Sequence, residues 1–191
     1  MKMNLTKEMV VENLMLGLRP VTGNGKPYLD LETYLFLSIP DVGISKVNRE
    51  ILSIIGLTED EAFEKAKANT RNHLVAKKMS EVLADLMGAD ADDFPKLPNE
   101  PIVVTTKDGY LGASALLFPE FLREICQKYN YGLVQIAPSS IHEVIITEVM
   151  AGSESMVSEI NSAEVAPEER LADHWYYFDP ETMKITLDGL L

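Results

Sequence analysis

Four residues that could do acid–base or nucleophilic chemistry lie close together in the chain: Ser139, Ser140, His142 and Glu143. They fall within residues 133–149, between two runs of apolar, β-branched residues. A histidine base can activate a serine hydroxyl, and a carboxylate can orient that base. Alternatively, the serines close a turn and His142 bonds locally where the chain re-enters the sheet, because hydroxyl groups readily bond to nearby backbone. The sequence favours the turn and leaves the catalytic alternative open.

The known catalytic signatures are incomplete around these residues. A zinc-protease helix needs a second histidine four positions after His142, where the chain has Ile146. Ser139 and Ser140 lack the Gly-x-Ser-x-Gly turn that exposes the nucleophile of a serine hydrolase. A metalloprotease is therefore excluded, and a conventional serine hydrolase is disfavoured.

A second histidine segment supplies the remaining candidates for catalysis. Asp173 precedes His174, and a carboxylate beside an imidazole is a common acid–base pair. If this segment met His142 across the sheet, the two could form one site. The enzyme hypothesis is thus a small enzyme that uses His142 and Glu143 with Ser140, Asp173 or His174.

The charge of the chain points to a different class of function. It has 17 basic and 30 acidic residues, a net charge of −13, which repels phosphate backbones and anionic membranes. Direct binding to nucleic acid or to a membrane is therefore disfavoured, and a basic partner protein is favoured. The candidate binding residues are two acidic clusters: Asp90, Asp92 and Asp93, and Glu59, Asp60, Glu61 and Glu64.

No cofactor and no metal is predicted. The loop around Asp92 lacks the glycine and the distal glutamate of a calcium-binding loop. The sequence Gly-Asn-Gly-Lys at residues 23–26 lacks the four-residue spacer and the following Ser or Thr of a phosphate-binding loop.

The cysteine content and the N-terminal residues indicate a cytoplasmic protein. Cys126 is the single cysteine, so it cannot form an internal disulfide, and its helical apolar register is typical of a small core residue. Residues 1–18 carry four charges, and no apolar run approaches the ~20 residues needed to span a bilayer.

Hydrophobic periodicity and turn signals predict helices and strands in both halves. The predicted helices are residues 6–17, 47–55, 59–72, 78–87, 120–129 and 153–163, although the isoleucines of 47–55 also permit a strand. The predicted strands are 34–39, 102–106, 133–137 and 143–149, with a terminal hairpin at 174–187. Residues 41–45 are expected to be a loop. Thr58 and Glu61 have the spacing of a capping box, which marks the start of the third helix.

Strands separated by helices of varied number, with hairpins near the end, predict an α+β fold. We expect a mixed or mainly antiparallel sheet covered by helices, with a C-terminal β-hairpin. The length favours a single domain over residues 1–191, with a helix-rich first half (1–100) and a strand-containing second half (101–191).

Residues 56–70, 112–119, 138–145 and 161–179 together resemble an uncharacterised domain family of gut Gram-positive bacteria and their mobile elements. The resemblance covers about residues 30–187 and carries no catalytic residues with it. Members usually have a longer N-terminus, so it implies a chain shortened at that end. A mobile-element setting would suit an acidic protein that binds or inhibits a basic nucleic-acid-handling protein, as anti-CRISPR inhibitors do, by analogy of size and charge.

Two hypotheses about function follow. The leading hypothesis is a non-enzymatic protein that presents an acidic surface to a basic partner. The alternative is the small enzyme built around His142 and Glu143.

Overall fold

A computed structural model describes residues 6–40, 42–95, 98–138 and 140–187. By its internal contacts the chain divides into two compact units, Met1–His73 and Leu74–Leu191, called here the first and the second unit. The division therefore falls after residue 73.

Within the described residues the chain forms six α-helices and ten β-strands. The helices are α1 (Lys7–Asn13), α2 (Arg49–Ile54), α3 (Glu59–His73), α4 (Met79–Met87), α5 (Pro119–Tyr129) and α6 (Met156–Glu164). The strands are β1 (Leu14–Pro20), β2 (Lys26–Tyr28), β3 (Leu31–Ile39), β4 (Gly43–Lys46), β5 (Leu74–Lys78), β6 (Ile102–Thr106), β7 (Val134–Ala137), β8 (Val144–Glu148), β9 (Tyr176–Asp179) and β10 (Lys184–Thr186).

The first unit is built on a four-stranded antiparallel sheet centred on β3. Strand β1 pairs with one edge of β3, and β2 and β4 pair with different parts of the other edge. Alternate leucines of β1 and β3 form a buried face, which α3 covers with Ala62, Ala66 and Thr70. The Thr70 hydroxyl accepts a hydrogen bond from the Leu16 amide at 2.8 Å, which ties the helix to the sheet.

A buried carboxylate, Glu32, organises the loop that joins β1 to β2. Glu32 is 2% exposed, and it accepts hydrogen bonds from Arg19 Nε, the Thr22 hydroxyl and the amides of Gly23 and Gly25. Burial opposes its ionisation, but the hydrogen bonds from Thr22 and Arg19 outweigh that effect and lower the Glu32 pKa to about 2. The glycine-rich loop therefore encloses a carboxylate of the chain itself.

The second unit contains a six-stranded sheet in the order β10-β9-β7-β8-β6-β5, and every pairing among its described strands is antiparallel. Helix α5 begins at Pro119, which suits the first turn of a helix, and ends at Tyr129; Asn130, which follows, has the left-handed conformation of a C-cap. It buries one face that includes Phe121, Leu122 and Cys126. Burial raises the pKa of the Cys126 thiol to about 11, so this cysteine is an unreactive core residue.

The predicted first helix was too long. Helix α1 ends at Asn13, and residues 14–20 form β1, which is buried over most of its length. Apolar residues on both faces of a buried strand imitate a helical pattern in a short window, so periodicity alone did not separate helix from strand here. Gly17 is the local clue: a Cβ there would lie 2.6 Å from the ring of Tyr34, the residue opposite it on β3.

Short strands are the other difference from the prediction. Strand β2 begins at the end of the glycine-rich segment at residues 23–26, and β4 lies mostly in the expected loop at residues 41–45. Residue 41 is outside the described residues. Strand β5 occupies the junction between two predicted helices. Such strands are defined by pairing with distant residues, so the local sequence carries little signal for them.

The α+β class is confirmed, as are the antiparallel pairing and the C-terminal hairpin of β9 and β10. The predicted helix-rich first half contains strands β1–β5 as well as helices. Whether the two units act as a single domain stays a prediction. No helix of the described residues has the length and apolar character needed to cross a membrane.

The capping box at the start of α3 offers a test of the local sequence rules. The Thr58 amide donates to Glu61 Oε2 at 2.9 Å, and the Glu61 amide donates to Thr58 Oγ1 at 3.2 Å. We expect Thr58→Ala to lower the free energy of unfolding by about 1 kcal/mol, because it leaves a helix-terminal amide without its acceptor. Thr58→Ser keeps the hydroxyl and is the control in urea denaturation. Equal stability of the alanine variant and the wild type would contradict the assignment.

Candidate functional site

The loop between β7 and β8 is held by hydrogen bonds to a distant segment. Ser140 is buried, and its Oγ accepts a hydrogen bond from the His142 amide at 2.9 Å. Ser140 also forms an isolated antiparallel bridge with Arg170, and the Ile141 amide donates to the Glu169 carbonyl at 2.8 Å. The Ser140 side chain therefore closes a turn, and residues 169–172 lie beside the loop. Ser139 lies outside the described residues.

Both nitrogens of the His142 ring have partners. The Leu111 amide points at Nδ1 at 3.3 Å, and Nε2 lies 3.4 Å from Glu169 Oε1. A backbone amide can only donate, so Nδ1 accepts and the proton of the neutral ring lies on Nε2, facing Glu169. The ring of Tyr110 packs edge-on against the imidazole at a centroid distance of 5.5 Å. In this arrangement the ring has no lone pair left to take a proton from Ser140 or from a substrate.

The backbone at His142 is bonded as closely as the ring. Its carbonyl oxygen accepts hydrogen bonds from Thr105 Oγ1 and from the Gly112 amide, both at 2.9 Å. A Cβ at Gly112 would collide with the Thr105 backbone and with this carbonyl oxygen, so a glycine is needed there. Leu111 next to it has a positive φ of 58°, an unfavourable conformation for leucine that the bond to His142 helps to hold. These contacts support a structural role for His142.

The loop forms one wall of an acidic cavity of about 480 Å³, called here the acidic cavity. Its lining includes His142, Ser140 and Tyr110 together with four carboxylates: Asp108, Glu143, Glu164 and Glu169. Burial raises the pKa of Glu143, the nearby His142 opposes the shift, and Glu169 adds to it. The cavity therefore concentrates negative charge, and of this charge the Glu143 carboxylate is partly withdrawn from water. It is suited to a cationic group.

Asp173 and His174 do not line this cavity. Asp173 Oδ1 accepts a hydrogen bond from Asn161 Nδ2, and the ring of His174 packs against Tyr176 at 5.1 Å. The segment that contains them does approach the loop, since the Ala172 amide donates to the Pro138 carbonyl at 3.3 Å. The side chain that reaches His142 is nevertheless that of Glu169. Of the residues in the enzyme hypothesis, the cavity lining thus brings together His142, Glu143 and Ser140.

The residues missed by sequence reasoning are Tyr110, Leu111 and Glu169. Glu169 is 27 positions from His142 in the sequence, and Leu111 is 31 positions away. No spacing rule connects residues so far apart, because the pairing depends on the path of the chain through the sheet. The one local signal for Glu169 was its charge, which by itself does not indicate a partner.

The two predicted acidic clusters differ in their surroundings. In the first unit, Glu59 pairs with Arg49 at 3.1 Å, Asp60 pairs with Lys26 at 3.2 Å, and Glu61 caps α3. Glu64 is exposed on the same helix.

In the second unit, Asp90, Asp92 and Asp93 are exposed around a short 3-10 turn, Ala91–Asp93. The Asp92 amide donates to Asp90 Oδ1 at 3.0 Å. This cluster is exposed and caps its own turn, whereas Glu59 and Asp60 of the first cluster pair with basic side chains. Among the described residues, no group of three or more His, Cys, Asp and Glu side chains could hold a metal ion.

The role of His142 can be tested by removing its acceptor and then restoring it. We expect His142→Ala to lower the free energy of unfolding by about 1–3 kcal/mol, because the buried Leu111 amide loses its partner. His142→Asn supplies an amide oxygen near the position of Nδ1 and should recover part of that loss. Thermal and urea unfolding measure both effects. If the alanine variant is as stable as the wild type, His142 has no structural role.

A family model matches residues 27–180, more than half of the chain and nearly the whole stretch that carried the resemblance. No curated protein and no solved structure matches the chain. The chain belongs to the family of unknown function DUF5688.

Proposed function

We propose that the second unit binds a basic partner protein through its excess of negative charge. The observation that carries this proposal is the division of charge between the units. Residues 1–73 have nine basic and ten acidic residues, a net charge of −1, whereas residues 74–191 have eight and twenty, a net charge of −12. Even if every basic residue of the second unit neutralised one carboxylate, twelve would remain. Such a field attracts cationic surfaces and repels nucleic acid.

The acidic cavity supplies a place for a basic side chain within this field. Four carboxylates line it, and no lysine or arginine is among its lining residues. A lysine or arginine side chain that entered would offset the repulsion among the carboxylates, including the one that helps to raise the Glu143 pKa. The exposed turn with Asp90, Asp92 and Asp93 extends the same sign of charge elsewhere on the unit.

The proposed setting is the cytoplasm of a gut Gram-positive bacterium or its mobile element. A basic protein that handles nucleic acid has the surface charge that this unit complements. We propose that the chain inhibits such a protein by occupying the surface that holds nucleic acid, as anti-CRISPR inhibitors do. Support comes from the charge division and from the small size of the chain.

The proposal predicts a steep dependence of partner binding on salt. Proteins captured from the native host with the purified chain should be basic, and their release should begin above about 0.15 M NaCl, where the Debye length is about 8 Å. If the partner holds nucleic acid, excess duplex DNA should displace it from the chain. An affinity that does not change with salt would argue for an apolar interface and contradict the proposal.

Three variants, each with three negative charges removed, test whether partner binding depends on the acidic surface of the second unit or only on the net charge of the chain. They are Asp108→Asn with Glu164→Gln and Glu169→Gln in the acidic cavity, Asp90→Asn with Asp92→Asn and Asp93→Asn in the turn, and Glu8→Gln with Glu12→Gln and Glu64→Gln in the first unit. Both second-unit variants should weaken binding of the captured partner about tenfold, and the first-unit variant should change it little. Equal weakening by all three would overturn the assignment to the second unit.

A further inference from the structure

The first unit contains a cavity of about 840 Å³ with the opposite electrostatic character, called here the cationic cavity. Four basic side chains line it, against two acidic ones. The basic residues are Arg19, Lys26, Lys46 and Arg49, and the acidic residues are Glu50 and Glu59. Four of the nine basic residues of the unit thus line one cavity, although the unit as a whole has a net charge of −1. The volume lies in the range of small-molecule sites.

The cavity lies where the sheet is incomplete. Strand β2 pairs with residues 31–33 of β3, and β4 pairs with residues 36–39 of the same edge. Tyr34 and Leu35 lie between the two pairings and line the cavity, and the Leu35 carbonyl accepts from the Val47 amide at 3.0 Å. The gap between β2 and β4 thus opens the face of the sheet to solvent.

Two of the basic side chains lie close to the same aromatic ring, that of Tyr34. In the sheet register Gly17 lies opposite Tyr34 and Lys46 lies opposite Phe36, so Arg19, Tyr34 and Lys46 share one face. Arg19 Cζ is 4.9 Å and Lys46 Nζ is 5.9 Å from the centre of the Tyr34 ring. The absence of a side chain at Gly17 allows this ring to lie across β1.

The donors of these two cations are available to a ligand. Arg19 bonds to Glu32 through Nε, and its two terminal nitrogens lie at the other end of a planar fork that fits an oxyanion. Lys46 is exposed, and its ammonium group contacts the face of Tyr34. Lys26 pairs with Asp60 and Arg49 pairs with Glu59, as Arg19 pairs with Glu32. Arg19 and Lys46 both line the cavity, so a polyanion bound there could place an oxyanion group against each of them.

The glycine-rich loop does not compete for this anion. The amides of Gly23 and Gly25, which resemble part of a phosphate cradle in sequence, are directed at the Glu32 carboxylate. The same carboxylate fixes the orientation of Arg19. The loop therefore positions the cation of the site and leaves ligand binding to side chains.

We propose that the cationic cavity binds a small polyanion that carries phosphate or carboxylate groups, through Arg19 and Lys46. This site is independent of the protein-binding surface proposed for the second unit, because all of its residues lie in the first unit. Anion binding at this cavity would not be expected from the net charge of the chain, which would repel a polyanion from most of the surface.

Isothermal titration calorimetry on the full chain at low salt tests the proposal with inorganic pyrophosphate and with citrate. At least one probe should bind with a Kd between about 10 μM and 1 mM, a range typical of a partly exposed site with a few charge-assisted hydrogen bonds. Binding of pyrophosphate alone assigns a phosphate ligand, and binding of citrate alone assigns a carboxylate ligand. If neither probe binds, the proposal is wrong.

A matched pair of lysine variants locates the binding. Lys46→Gln should weaken binding about tenfold by removing one charge-assisted contact. Lys65→Gln removes the same charge from an exposed position on α3 outside the cavity and should change the Kd less than about twofold. Thermal melting checks that both variants are folded. Equal weakening by the two substitutions would show that the anion responds only to net charge and would overturn the site.

Discussion

The first unit depends on the hydrogen bonds and the ion pair that the buried, ionised carboxylate of Glu32 accepts. A buried charge is costly unless it is paired and hydrogen-bonded. Here Arg19, Thr22 and the amides of Gly23 and Gly25 meet that requirement together. The hydrogen bonds that the Glu32 carboxylate requires therefore determine the path of the loop between β1 and β2 and the direction of the Arg19 side chain. That direction brings the guanidinium over Tyr34, so the same constraint creates the cationic cavity.

Charge is separated along the chain, and this separation is the basis of the functional account. The first unit is nearly neutral and has four of its nine basic residues around one cavity, whereas the second unit carries almost all of the net negative charge. A net charge computed for the whole chain hides this difference. It predicts a basic partner for the chain, but it gives no hint of the anion site proposed for the first unit. The two surfaces make opposite demands on a ligand, so they can be tested separately.

Local rules predicted those parts of the structure that depend on local contacts. Thr58 and Glu61 are three residues apart, and their capping box was recognised from spacing alone. Strand β1 was not, because its extended form depends on pairing with β3, which lies beyond a loop in the sequence. At the candidate site, the turn role of Ser140 follows from its hydroxyl and the adjacent backbone. The partner of His142 did not follow, since Glu169 reaches it only through the packing of a distant segment.

The most direct test of the central claim is the pKa of Glu32 in the folded chain, measured by ¹³C NMR of its side-chain carboxyl carbon during a pH titration. A folded-state pKa below the ordinary value of 4.5 means that the ionised group stabilises the fold above pH 4.5, and that this stabilisation is lost as the pH falls toward about 2. The account predicts that Glu32 keeps the chemical shift of a carboxylate between those two values. A titration midpoint near 4.5 would contradict it, because the loop and Arg19 would then not be held by a charge.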